Sequence, residues 1–243
     1  MTKMTDKAVL VVGGASGIGA AIAQRLATEG ALMFLTGRRQ ADVSSAAPRI
    51  GHGARTIVAD ASDPADIERA VATVVAEHGR IDALVFNAAM AEPEDLLSST
   101  PELFDRHFAL NARGPLLAMR AAVPHMQSGS AVVVVGSTAS EMANPPYGTY
   151  AATKAALRSY VRTWTLELAP RGIRVNVLSP GPTETPMLAE VSDEIRALIL
   201  SRVPLGRLAR PEEIAATALF LVSDESSYMA GSDLHVDGGM AQV

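Results

Sequence analysis

The stretch AVLVVGGASGIGAAIAQRL, residues 8–26, decides the fold. Ala8 to Val12 form an apolar run rich in β-branched valine, with no polar residue between them, as a strand buried on both faces requires. Glycines follow at 13, 14, 17 and 19, and the chain then continues as a helix. Gly13 permits the sharp turn, Gly17 lets a diphosphate approach the backbone, and Gly19 lets the helix pack close to the strand. The free N–H groups and the positive end of the helix dipole then face the phosphates. The spacing is Gly-x3-Gly-x-Gly rather than the more familiar GxGxxG. A glycine turn alone also serves ordinary turns; its place between the first strand and the first helix gives it weight.

The same alternation continues outward. LMFLT (32–36), TIVA (56–59), ALVF (83–86), AVVVV (131–135) and RVNVL (174–178) read as strands, with LHVD (234–237) as a seventh. None alternates polar and apolar residues, so both faces of each are expected to be buried. Helices between them carry start signals. Asp63 precedes Pro64, and Ile67, Val71, Val74 and Val75 then form one apolar stripe. Thr100 and Pro101 repeat the device, and Arg210-Pro211-Glu212-Glu213 puts acidic groups in a first turn. Long helices are expected at about 101–126 and 151–169. The succession of βαβ units predicts an α/β fold: a single Rossmann-type, doubly wound parallel sheet of about seven strands with helices on both faces. No repeat or linker divides residues 1–243, so one domain is expected.

Composition narrows the function. The 243 residues are 48% hydrophobic but only 4% aromatic, so the core must be built from Ala, Val, Leu and Ile. A net charge of −5 argues against nonspecific nucleic-acid or anionic-membrane binding. No cysteine is present, which excludes disulfides, thiolate catalysis and Cys-ligated zinc. The five histidines have no paired metal spacing, and no metal site is expected. No apolar run approaches the roughly 18 residues of a membrane span, and the N-terminal run is short for a signal peptide, so the expected location is the cytoplasm.

Two further segments point to chemistry. The second strand ends LTGRR, with Gly37 and Arg38 where an NAD site usually carries an acidic residue for the ribose 2′-OH. Arg38 can pair with a 2′-phosphate, so NADP(H) is expected over NAD(H). Within GTYAATK, Tyr150 and Lys154 stand four residues apart on one helix face. A lysine there favours the phenolate, and a downward shift of ~2–3 units would make the phenol an acid/base near neutrality. Tyr147 lacks this partner, since Ala151 stands four residues on. In the helix from about 101, Pro115 follows Asn111 by four; the missing N–H frees the Asn111 carbonyl and should kink the helix.

Taken together, VGGASGIG, the NAA after the fourth strand, Asn111, Ser137, YAATK, PGPTETPM and the terminal VDGG resemble the short-chain dehydrogenase/reductase family along essentially the whole chain. The resemblance implies that Ser137, thirteen residues before Tyr150, is the serine that hydrogen-bonds the substrate oxygen; Thr138, Ser140 and Thr149 do not fit that register. It implies that Tyr150 exchanges the proton, that Lys154 binds the nicotinamide ribose and depresses the Tyr150 pKa, and that the Asn111 carbonyl holds a relay water. Cofactor contacts carried over by position are Gly13, Ser16, Gly17, Ile18 and Gly19 in the turn. Asp60 and Ala61 would meet the adenine, and Asn87 and Ala88 the adenosine ribose. Pro180, Gly181, Thr183 and Thr185 would lie about the carboxamide. The chain departs from the family's frequent NNAG, with Phe86-Asn87-Ala88-Ala89, and Val12 replaces a frequent threonine.

A ketone or secondary-alcohol pocket is expected between segments 89–97, 138–147 and 186–203, with Met90, Met142, Tyr147, Met187 and Leu188 among its residues and 187–203 as a lid. The VPLGRLARPEEIA and VDGG segments look like those of 3-oxoacyl-carrier-protein reductases and also like those of many sugar, steroid and xenobiotic reductases, so the resemblance does not choose; for an acyl-carrier partner Arg120, Arg171 and Arg174 are candidate contacts, against a reading of each as a solvated charge. Similar proteins are commonly homotetramers built on the two long helices and the last strand. The alternative is a cofactor-sensing protein of the same fold without turnover.

Overall fold

The computed structural model describes residues 3–189 and 191–242; the side chain of Met187 lies outside the described atoms. Seven parallel strands are ordered β3-β2-β1-β4-β5-β6-β7. They are β1 (Ala8–Val12), β2 (Leu32–Gly37), β3 (Arg55–Val58), β4 (Ala83–Phe86), β5 (Ala131–Val135), β6 (Arg174–Pro180) and β7 (Asp233–Val236). The chain winds outward from β1 to β3, then crosses back so that β1 lies beside both β2 and β4. That reversal opens a crevice at the strands' carboxyl ends.

Side-chain alternation divides the core. Val9 and Val11 pack on one face, with Ile22 and Leu26 of α1 (Gly17–Thr28) and Ile214 and Leu219 of α9 (Pro211–Val222). Leu10 and Val12 point the other way, towards Ile67 of α3 (Pro64–His78), Ala118 of α5 (Gly114–Ala122) and Leu157 of α6 (Gly148–Leu168). Strands β1, β4 and β5 are buried throughout. The edge strands depart from the expected two-faced burial: Arg55 and Val58 of β3 are exposed, and every residue of β7 is half-buried. Each has a sheet neighbour on one side only.

The expected caps form. Asp63 accepts the N–H groups of Ala65 at 2.8 Å and Asp66 at 3.1 Å. Thr100 accepts that of Leu103 at 3.2 Å. Glu213 reaches back to the Arg210 N–H at 2.8 Å and pairs with Arg207, which draws its carboxyl down to about 2.

The long helix expected at 101–126 is interrupted. It consists of α4 (Pro101–Phe108), a π-helical turn over Ala109–Arg113, α5, and a 3-10 turn over Val123–His125. The Gly114 N–H donates to the Ala109 carbonyl, five residues back. The absent Pro115 N–H is thus accommodated by widening the helix around Asn111. The second long helix, α6, starts at Gly148, before the expected 151. The remaining helices are α2 (Gln40–Ile50), α7 (Pro186–Ala189) and α8 (Asp193–Ser201), the last two covering most of the expected lid.

Candidate active site

The glycine turn leaves β1 towards the crevice. Gly13 has φ +78°, and a Cβ there would stand 2.6 Å from the Ala88 nitrogen. A Cβ on Gly19 would stand 2.1 Å from the Gly13 carbonyl oxygen, so α1 lies against the turn as closely as the sequence requires. Asn87 Nδ2 donates to that same carbonyl at 2.8 Å. Thr36 Oγ1 accepts the Gly13 N–H at 3.1 Å, a support the sequence reading missed. Ser16 is the N-cap of α1 but makes no side-chain cap. The N-terminus that begins with Gly17, Ile18 and Gly19 therefore keeps its positive end available for phosphate. Thr185 stands opposite: its Cγ2 lies 3.4 Å from a Cβ built on Gly17. The residues present thus fit a dinucleotide diphosphate.

The other positional candidates stand at the same edge. Arg38 follows β2, exposed and with no hydrogen bond or ion pair among the described residues, whereas Arg39 is held by Asp42 at 2.6 Å. Asp60 and Ala61 follow β3; Asp60 Oδ1 accepts the Ser62 N–H at 2.8 Å and its hydroxyl at 2.7 Å. Asn87 and Ala88 follow β4, and both N–H groups donate to the Val12 carbonyl. Pro180 ends β6, Gly181 N donates to Val236 O, and the Thr183 hydroxyl donates to Gly181 O at 2.9 Å.

At the end of β5, Ser137 Oγ accepts the Ala139 N–H at 3.1 Å, which leaves its own O–H free to donate. Ser140 is occupied locally, donating its hydroxyl to Ser137 O at 2.8 Å. In the first turns of α6, the Tyr147 ring meets the Tyr150 ring edge-on at 6.5 Å. The Lys154 ammonium is buried, 5.6 Å from the Tyr150 ring centroid, and donates to Val135 O at 2.8 Å. Asn111, also buried, exchanges two hydrogen bonds of 2.9 Å with the Met90 backbone and donates to Thr153 Oγ1 at 3.1 Å. Thr153 in turn donates to Tyr150 O at 2.7 Å. The sequence reading did not single out Thr153, although it shares the helix face of Tyr150 at i+3.

The electrostatics correct one expectation. Burial pushes the Tyr150 phenol above its ordinary value, and the neighbouring Ser137 hydroxyl pulls it down. Lys154 does not reverse the balance: it is directed at the Val135 carbonyl beneath the ring, and burial lowers its own pKa to about 8.

Two of the three arginines considered for carrier contact are bound within the fold. Arg174 opens β6, at the end of the sheet away from the crevice, and its guanidinium donates to the carbonyls of Leu221, Ser223 and Met229. Arg171 binds the Val123 and Met126 carbonyls, and Arg120 lies in the last turn of α5. Among the described residues, Glu141, Asp233 and His235 gather ligand-type atoms within 4.8 Å, a cluster that spacing did not reveal. Arg158 already pairs there with both Glu141 and Asp233, so a guanidinium holds the two carboxylates and offsets one of their two charges.

A phosphate-ready glycine turn at the switch point of a parallel sheet, with a Ser, Tyr and Lys beside it, defines a dinucleotide-binding oxidoreductase. Comparison with known proteins agrees. A family model described as enoyl-(acyl carrier protein) reductase matches residues 13–241. The 3-oxoacyl-(acyl-carrier-protein) reductase FabG of Thermotoga maritima is 37% identical over 98% of this chain and 99% of its own. A short-chain dehydrogenase/reductase from Serratia marcescens superposes with a TM-score of 0.95 at 32% identity, covering 98% of this chain and 99% of that one. The 3-ketoacyl-(acyl-carrier-protein) reductase of Brucella melitensis, solved with NADH, has a TM-score of 0.91 at 33% identity, with coverages of 98% and 99%. The chain belongs to the short-chain dehydrogenase/reductase family, whose members work with a nicotinamide cofactor.

Proposed function

We propose that this protein transfers hydride between NADP(H) and a ketone or its secondary alcohol, with Tyr150 as the acid/base. One juxtaposition carries the reading: the Tyr150 phenol beside the Ser137 hydroxyl, with the buried Lys154 ammonium beneath the ring. The raised phenol is protonated at neutral pH and is ready to give its proton to a carbonyl oxygen becoming an alkoxide. Ser137, whose O–H is free, donates to that oxygen and stabilises its developing charge. Lys154 holds the cofactor ribose, and Asn111 and Thr153 fix the loop and helix that frame the site. The bound cofactor supplies the hydride.

NADP(H) is favoured because Arg38 is an exposed cation with no partner among the described residues. Asp60 and Ala61 are assigned to the adenine, Asn87 and Ala88 to the ribose, and Pro180, Gly181, Thr183 and Thr185 to the nicotinamide side. The protein is further proposed to act in the cytoplasm as a homotetramer. No helix among the described residues is long and apolar enough to cross a membrane. The test is consumption of NADPH and NADH against a panel of ketones, with Tyr150→Phe as control. Turnover with NADPH that falls about 100-fold or more in the variant supports the reading. Tight NADPH binding without turnover on any ketone would favour the cofactor-sensing alternative.

A further inference from the structure

We infer that the part of the substrate remote from its carbonyl carries an ammonium group, received by Glu94; this deepens the ketone-reductase reading and rests on it. A cavity of about 580 Å³ opens between the loop after β4 and the loop after β5, lined by Glu94, Ser99, Met142, Pro146 and Thr149 among others. That volume suits a small organic molecule. Its lining flanks the reacting tyrosine in the chain. Thr149 and Ala151, on either side of Tyr150, both line it. The Glu94 N–H donates to Pro146 O at 2.6 Å, and Glu94 also bridges to Tyr147, whose ring meets that of Tyr150.

Glu94 is only 8% exposed, and a carboxylate so buried ordinarily has a cationic partner. Among the described residues it has no ion pair. Its Oε2 accepts the Ser99 hydroxyl at 2.8 Å; its Oε1 is buried without a completed hydrogen bond. The hydroxyls of Thr149 and Ser99 hold the carboxyl below its usual range, so it is an anion at neutral pH. His107, fully buried nearby, does not neutralise it. Its Nδ1 faces the Leu103 carbonyl at 3.0 Å and must donate, while its Nε2 receives the Glu92 N–H at 3.2 Å and must accept. That is the neutral imidazole. Asp95 adds a second, exposed carboxylate to the lining, and no Lys or Arg belongs to it. An anionic tail, whether carboxylate or phosphodiester, meets like charge here; an ammonium meets a carboxylate with no ion-pair partner among the described residues.

The experiment uses three methyl ketones with one alkyl chain, ending in dimethylammonium, hydroxyl or carboxylate. Binding to the protein with NADPH is measured by calorimetry, and turnover by NADPH consumption. The ammonium ketone should bind and react about tenfold better than the carboxylate ketone, with the hydroxyl ketone between them. Glu94→Gln keeps the side-chain shape and should bring the ammonium-to-carboxylate ratio close to one. Asp95→Asn, at an exposed position, should lower the ratio by less and serves if the first variant does not fold. Equal handling of the two charged ketones, or an unchanged ratio in both variants, overturns the inference. Because the ratio is read in binding as well as in turnover, absence of turnover on every ketone would count against the catalytic reading alone.

Discussion

At the scale of single residues, the site sets charge against stability. Burial lowers Lys154 from 10.5 to about 8, so carrying its charge in the fold at neutral pH costs about 3 kcal/mol. The folded protein holds that proton less tightly than the unfolded chain. Stability should therefore rise as pH rises from about 8 towards 10.5, with the full cost present below about 8. Lys154→Met should remove that slope, raise the melting temperature at neutral pH and abolish turnover; scanning calorimetry across pH reads the first two. The raised Tyr150 phenol has its own signature. Alcohol oxidation should increase with pH as the phenol ionises, while ketone reduction should fall over the same range, and Tyr150→Phe should show neither limb. Arg38→Ala should raise the KM for NADPH about tenfold and leave that for NADH nearly unchanged.

At the scale of elements, the π turn over Ala109–Arg113 is a response to one missing donor. Pro115→Ala restores an N–H at the position that would bond the Asn111 carbonyl in a regular helix, and should favour closing the turn. Asn111 would then rotate away from Met90 and Thr153. The expected result is a loss in kcat of about tenfold or more with little change in melting temperature. Asp63→Ala, by contrast, removes two cap bonds remote from the chemistry and should cost about 1 kcal/mol of stability at unchanged kcat.

These elements also mark what could be read in advance. Uninterrupted valine runs reveal strands because burial on both faces leaves no room for alternation, so β1, β4 and β5 were legible. The edge strands obey the same composition but are half covered, and composition does not encode sheet order at the margins. Asn111 and Pro115 announced a break, but whether the helix kinks or widens depends on what packs around it. Tyr150 and Lys154 lie on one stretch of local sequence, and Ser137 at a fixed distance before it, so all three could be proposed from sequence. Glu94 and Thr36 act across the fold, and no spacing rule reaches them; Thr153 shares a helix face with Tyr150, but its bond to Asn111 also crosses the fold. The direction of the Tyr150 shift was misread because proximity in sequence does not say where an ammonium points.

For the whole molecule, the exposed apolar residues are concentrated outside the core. Leu166, on the outer side of α6, is 80% exposed, and Phe104, on α4, is 45% exposed. Both belong to the helices proposed to join subunits. Leu166→Glu should reduce the particle measured by light scattering from a tetramer to a smaller species; a wild-type monomer would refute the assembly.

Phe86 stands where the family often has asparagine, and its ring reaches to 2.9 Å from the point a Cβ on Gly114 would occupy. The two positions share one volume, one from the end of β4 and the other from the first residue of α5. Restoring asparagine at 86 would open a void at the crossing and set an amide against apolar neighbours, while any side chain at 114 would collide with the ring. Asparagine at 86 would not release the glycine at 114, since a Cβ there would also stand 2.7 Å from the Ala61 carbonyl oxygen; glycine is held at that crossing from two sides.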